Sequence, residues 1–402
     1  MSRKAKKQNR KSESRESAAS MSVADMRQVT VLLVFSVGAL IALGLVMLYS
    51  ASMTEEGVRM LKKQSQWLCL GAIACTVAAL VDYRLLRRHA WLILGVATVL
   101  CALVLVPSIG YKIGGARRWF KIGGISFQPS ELAKIAILIW VAFYCEWQTR
   151  NIRNFKQGII FPALALGGVL GLILVEPDRG TFILMSAVCA GLLFVAGVRF
   201  HYLAIPVVLG IVGIAYLLWI DPVRSARILS WLNPEEYRMT TGYQNWQALI
   251  ALGTGGIFGV GLGDGRQKLG FVPEHHTDFI YSVIGEELGL IATLAVLIGF
   301  VLIAYAGITI AWKARDRFGY YLAAGITLLI TTQSIVNIGV VTSVLPNKGM
   351  SLPFISYGGS NLMVMMACVG VLISIARRAT DDVVILDDES ADTVFMAAPD
   401  VA

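Results

Sequence analysis

The chain has 402 residues, 56% of them hydrophobic and only 15% charged, with a formal net charge of +9 and a mean hydropathy of +0.68. Those values exclude a soluble globular domain and imply an integral membrane protein. No nucleic-acid partner is expected.

In chain order, segment 1–28 is basic and low in aromatic residues, so it is expected to be a disordered cytoplasmic tail. Apolar runs long enough for a hydrocarbon core of roughly 30 Å follow at about 29–49, 67–81, 90–106, 130–146, 158–175, 180–197, 202–220, 279–312, 319–342 and 361–377. The predicted fold is therefore all-α, a polytopic membrane domain of about ten transmembrane helices over 29–378, with a large outer loop at 221–277 between helices 7 and 8. Residues 379–402 form a second disordered tail. The long polar tail ahead of a run of spanning length predicts a retained anchor and no cleaved signal peptide.

Lys and Arg are retained on the cytoplasmic side of a membrane. The first tail holds eight of them, and the alternate turns carry Arg84, Arg87 and Arg88, Arg150, Arg153 and Lys156, Arg199, Lys313, Arg315 and Arg317, then Arg377 and Arg378. Both termini are therefore expected in the cytoplasm. Cys69, Cys75, Cys101, Cys145, Cys189 and Cys368 all fall within apolar runs, where a thiol packs as a small hydrophobe.

The outward loops hold the unusual residues. Between Pro107 and Pro129 stand Lys112, Arg117, Arg118 and Lys121 with no acid, beside paired glycines. Interfacial snorkelling is one account; a site for an anionic group, most plausibly phosphate, is the other, with Arg supplying forked donors. Next, Pro129 sits at a helix start, where its missing N–H costs nothing, and Glu131 and Lys134 stack on one face at a spacing of three. The turn Glu176-Pro177-Asp178-Arg179 is of similar kind. The segment 221–277 is too long to be an idle connection; it contains amphipathic stretches, a glycine-dense run from Gly253 to Gly265, and Arg266 and Lys268.

The densest polar stretch runs from Lys268 to Gly289, where Glu274, His275, His276, Thr277 and Asp278 lead into an apolar helix containing Glu286 and Glu287. Acids at a membrane edge are costly unless solvated, paired or employed in chemistry. Thr277 is a suitable N-cap, which would set Asp278 in the helix's first turn, where the macrodipole favours its ionised form. A structural metal on the histidines is disfavoured, whereas a divalent cation, Mg²⁺ or Mn²⁺, held with a substrate pyrophosphate suits this chemistry better. The last outward turn carries Lys348, Ser356 and Ser360.

Three blocks carry a resemblance. The first is Gly115-Ala116-Arg117-Arg118-Trp119 with Gln128-Pro129-Ser130-Glu131-Leu132-Ala133-Lys134, and the second runs from Gly259 through Gln267-Lys268-Leu269 and Pro273-Glu274-His275-His276-Thr277-Asp278 to Gly285-Glu286-Glu287-Leu288-Gly289. The third is Leu345-Pro346-Asn347-Lys348-Gly349 with Leu352-Pro353-Phe354-Ile355-Ser356-Tyr357-Gly358-Gly359-Ser360. In these the chain resembles the SEDS family (shape, elongation, division and sporulation), more its FtsW division branch than its RodA elongation branch. It departs from the family pattern at Glu176, where Gln is usual, and at Asn361, where Ser is common.

The resemblance implies a peptidoglycan glycosyltransferase that polymerises lipid II at the outer face of the bacterial cytoplasmic membrane, at the division septum. It also implies a class B penicillin-binding protein and other division proteins as partners, and the acid at Asp278 as the catalytic residue. Arg117, Arg118, Lys121, Glu131, Lys134, Arg266, Lys268, Glu274, His276, Lys348, Ser356 and Ser360 are the candidate substrate contacts. The residues support the same chemistry on their own terms: with no Walker A motif, an outward enzyme needs a substrate that arrives activated, without nucleotide. The rivals are a lipid II flippase and a non-catalytic scaffold.

Overall fold

In the computed structural model the chain is described over residues 3–52, 58–113, 115–122, 125–220, 222–266 and 277–395. Hydrocarbon offers no hydrogen-bond partner, so each apolar run closes its main-chain bonds internally and becomes a helix. Helices α1 (Arg3–Ser52), α2 (Val58–Leu80), the short α3 (Arg84–Arg88) and α4 (Ala90–Leu105) open the chain. Then come α5 (Pro129–Trp147), a π-helical turn (Lys156–Ile160) leading into α6 (Phe161–Val175), α7 (Arg179–Val195) and α8 (Phe200–Ile220). The large loop contributes α9 (Pro222–Leu232) and α10 (Tyr243–Gly255), and α11 (Ile280–Lys313), α12 (Arg317–Val341) and α13 (Gly359–Phe395) finish the bundle.

Among the described residues, five helical spans are long and apolar enough to cross a membrane: Ala24–Ser52, Lys156–Val175, Ile280–Lys313, Arg317–Val341 and Gly359–Thr380. That is half the number expected from the apolar runs. For α2, α4, α5 and α7 the shortfall has physical causes. Helices α4 and α7 have 16 and 17 residues, below the roughly 20 of an ordinary crossing. Helix α2 carries Arg59, Lys62 and Lys63, and α5 carries Glu131, Lys134 and Glu146.

The loop between α4 and α5 also departs from an all-helical chain. It folds as an antiparallel sheet of β1 (Tyr111–Ile113), β2 (Ala116–Ile122) and β3 (Ile125–Phe127), in the order β1-β2-β3. Gly115, at φ +83, makes the left-handed turn between β1 and β2.

Helix α5 lies at the centre, packed by α4, α7, α12 and α13, and nearly all of it is buried. Pro129 occupies its start, as expected. Large apolar side chains such as Phe35, Leu164, Phe200 and Trp312 remain exposed on the periphery, an arrangement that suits lipid as solvent. The two ends of the bundle differ chemically. Arg150, Arg199, Lys313 and Arg315 follow the C-terminal ends of α5, α7 and α11, and ion pairs Arg84–Asp316, Arg87–Glu146 and Arg378–Asp82 stitch that end together. The N-terminal ends of α5, α7, α11 and α13 converge on a cavity at the other end.

Candidate active site

The cavity has a volume of about 270 Å³, and the polar residues of its floor and wall include Arg118, Glu131, Lys134, Asp178, Asp278 and Ser360. Its floor is an ion pair. Lys134 Nζ donates to both carboxylate oxygens of Glu131, at 2.8 and 2.9 Å. The pair stacks one helical turn apart, as the spacing of three requires. Lys134 is only 2% exposed, and its third proton goes to Gln333 Oε1 at 3.2 Å. Gln333 Nε2 in turn donates to the Ser351 carbonyl at 2.9 Å, so α12 ties the pair to the turn before α13.

Asp278 enters from the segment before α11. The N-cap is Phe279, and the helix begins at Ile280, which places Asp278 in the preceding turn and not in the first helical turn expected with Thr277 as cap. The turn is closed locally by Ser282, whose N–H and hydroxyl both donate to the Phe279 carbonyl. Asn337, one turn beyond Gln333 on α12, donates to the Asp278 carbonyl at 2.8 Å and to that of Met350. A Cβ at Gly349 would lie 2.6 Å from Asp278 Oδ2, so the carboxylate approaches the main chain there as closely as only glycine permits.

The side wall is held by the turn before α7. Asp178 caps that helix, accepting from Thr181 N at 3.2 Å, and its other oxygen accepts from Gln128 Nε2 at 3.0 Å and the Ser130 hydroxyl at 3.3 Å. Arg118 reaches across from β2, its Nε donating to the Glu176 carbonyl and an Nη to the Pro177 carbonyl, both at 2.7 Å. Two donors are thus used to fix the guanidinium, and the rest of the fork is left for a ligand. Lys348 flanks this wall; partial burial lowers its pKa to about 8, against the opposing pull of Asp178.

Of the expected contacts, Arg118, Glu131, Lys134, Asp278 and Ser360 share the cavity. Others stand apart. Neighbours on a strand point to opposite faces, and Arg117 turns toward the Leu105 carbonyl, at 3.5 Å. Lys121 lies 4.7 Å over the Tyr111 ring. Ser356 accepts from Leu352 N at 2.7 Å and shapes its own turn. Arg266 donates its N–H to Glu286 Oε1 at 2.8 Å, away from the cavity lining. Lys268, Glu274 and His276 lie outside the described residues, as does His275. The polar residues that the sequence left unmarked are Gln333, Asn337 and Thr181, and the signal for the first two was their spacing of four on one face of an apolar helix.

Glu286 and Glu287 serve the glycine-dense loop. At Gly289, with φ +74, α11 breaks, and the carbonyls of Glu286 and Glu287 accept from Val260 N and Gly261 N at 2.9 and 3.1 Å. The Glu287 carboxylate accepts from Gly263 N at 3.0 Å and from the Ser50 hydroxyl. A broken helix within a membrane bundle needs such replacement partners. Among the described residues, no group of three or more His, Cys, Asp or Glu side chains is placed to hold a metal ion.

Comparison with known proteins agrees with this geometry. The family model for the cell cycle proteins FtsW, RodA and SpoVE matches residues 30–381. A Geobacter metallireducens protein named "Probable peptidoglycan glycosyltransferase FtsW" is 42% identical over 346 residues, 85% of this chain and 92% of its own. Stage V sporulation protein E of Bacillus subtilis is 38% identical over 353 residues, 86% of this chain and 96% of its own. Among solved structures, a chain from a study of the structural coordination of polymerization and crosslinking by a peptidoglycan synthase complex superposes with a TM-score of 0.74 at 30% identity, covering 86% of this chain and 97% of that one. The Thermus thermophilus rod shape determining protein RodA gives a TM-score of 0.64 at 29% identity, covering 86% and 95%. The chain belongs to the SEDS family of FtsW, RodA and SpoVE, and several FtsW proteins at 38 to 42% identity set it on the FtsW side.

Proposed function

We propose that the chain polymerises lipid II into glycan strands at the outer face of the cytoplasmic membrane, for septal wall synthesis, with Asp278 as its catalytic base. That it is a peptidoglycan glycosyltransferase follows from its family and from its likeness to a synthase-complex chain. The single observation that carries the finer reading is the meeting of Asp278, Arg118 and the buried Glu131–Lys134 pair in one cavity. This cavity lies at the bundle end opposite the basic turns, which the inside-positive rule sets outward.

The topology proposed with it has ten crossings: α1, α2, α4, α5, the π turn with α6, α7, α8, α11, α12 and α13. Both termini are cytoplasmic, with tails 1–28 and 379–402. Tilt and neighbouring helices accommodate the short and charged ones.

The prenyl pyrophosphate of the donor would be met by Arg118 and Lys348, while its tail lies against apolar helices. Asp278 accepts the proton of the acceptor sugar hydroxyl. That oxygen bonds to the anomeric carbon as the bond to pyrophosphate breaks, with inversion. An ionised carboxylate is a weak base toward an alcohol, so the proton moves late, and such assistance contributes about 10²- to 10⁴-fold. A divalent cation would arrive with the pyrophosphate and be held chiefly by its oxygens. A class B penicillin-binding protein is the proposed crosslinking partner, within the division assembly.

The flippase and scaffold readings remain as alternatives that one experiment separates. Purified chain, alone and with its transpeptidase partner, is incubated with labelled lipid II and Mg²⁺ or Mn²⁺. Glycan ladders support the polymerase; translocation without ladders, in vesicles, would replace it with a flippase, and neither with a scaffold.

A further inference from the structure

The Glu176 carboxyl stands apart from every other acid of the site. It is 0% exposed, its oxygens meet no N–H or O–H donor, and the only donor facing it is the weak Cys101 thiol. Glu131 has Lys134, and Asp178 has Gln128, Ser130 and a helix N-terminus. An ionised carboxylate left bare in this way would cost several kcal/mol, so the group keeps its proton instead. Burial is the leading cause that pushes its pKa up, to about 8, and the Asp178 charge adds to it.

The titratable and charged groups around it are Asp178 on its own turn, the Cys101 thiol of α4, and Arg118 of β2. Its main-chain carbonyl is the one that receives Arg118 Nε. The side chain and the guanidinium therefore belong to one small assembly.

We propose that Glu176 is a positioning residue that, as a neutral acid, leaves the Arg118 charge directed at the cavity and, when ionised, draws it away. A neutral carboxyl beside Arg118 makes no demand on the guanidinium. A carboxylate there competes with the bound anion for the same donors, since Arg pairs with carboxylate and phosphate through the same fork. Loss of one proton from Glu176, taken up by solvent, thus weakens substrate binding without touching the reacting atoms. The inference rests on the reading of Arg118 as the contact for the substrate's anionic group.

The test compares the wild type with Glu176→Gln, which copies the shape of the neutral acid. Lys348, which titrates in the same range, is present in both and adds the same trend to each. Polymerisation is followed from about pH 6 to about pH 9.5, with KM and kcat separated. The wild type is expected to lose affinity above about pH 8, with KM rising roughly tenfold or more beyond any rise in Glu176→Gln, and the two share one kcat profile.

Difference infrared spectra give a second readout that needs no turnover. A protonated-carboxyl stretch present at neutral pH, absent from Glu176→Gln and fading above about pH 8 supports the inference. The same KM rise in both proteins, or no such stretch at neutral pH, overturns it. Absence of polymer from the wild type at every pH would instead defeat the functional reading, and the infrared titration would still decide the protonation of Glu176.

Discussion

Two groups of buried acids lie toward the cavity end of this bundle, and their partners differ. Glu286 and Glu287 accept from main-chain N–H groups of the glycine loop and from Ser50. Glu131 instead faces the Lys134 ammonium at the floor of a cavity that Asp278 also lines. Burial is similar, at 3% and 0% exposure for the first group and 7% for Glu131. The first two carboxylates fasten the glycine loop beside the break at Gly289, where its N–H groups pair with the Glu286 and Glu287 carbonyls, and the second group lines a cavity. A costly acid in a membrane protein marks a site only when it also lines a cavity.

Breaking the cavity pair should have the largest effect on stability. Lys134→Met strands the Glu131 carboxylate, and removal of one partner of a buried pair costs about 3–5 kcal/mol. Thermal melting in detergent should show it, and Glu131→Gln added to Lys134→Met should restore much of the melting temperature without restoring polymer. If the single variant melts like the wild type, the pair is not the buried ionic floor described above.

The loop comes next. A Cβ at Gly259, where φ is +81, would sit 2.1 Å from the Glu287 carbonyl. Gly259→Ala should cost ~1–3 kcal/mol through backbone strain and raise hydrogen exchange at Val260 and Gly261, while the binding of labelled lipid substrate by the folded fraction stays near normal. Unaltered exchange would show that the loop is not docked on the α11 break.

Arg118→Gln removes a charge-assisted contact of about 1.5–3 kcal/mol, so the lipid-substrate KM should rise roughly ten- to hundred-fold with kcat nearly kept. An unchanged KM would move the anion site elsewhere. The smallest effect belongs to Lys121→Gln, which loses an exposed cation–π contact and should shift KM less than about threefold, equivalent to under ~1 kcal/mol.

Much of the bundle was legible in the sequence because hydrocarbon leaves few options for an apolar run, and the basic residues recur in alternate turns. The pairing of Glu131 with Lys134 was legible for the same local reason, a spacing of three on a helix. The sheet around Arg117 and Arg118 was not, because strands of three to seven residues broken by glycine carry little periodicity. For that reason the two arginines looked equivalent, although strand alternation separates them. Gln333 and Asn337 were hidden because a polar residue inside a helix acquires meaning only from the turn packed against it, here the Asp278 and Met350–Ser351 main chain. The roles of Glu286 and Glu287 depended likewise on a loop 20 to 24 residues earlier in sequence.

The most direct measurement on the central claim is made with Asp278→Asn in the purified, partner-bound protein. Lipid II binding and melting temperature are measured beside glycan formation. The account predicts that the substrate still binds, that the protein melts as the wild type does, and that polymerisation falls by at least about 10²-fold. Glycan ladders of near wild-type yield from that variant would contradict it.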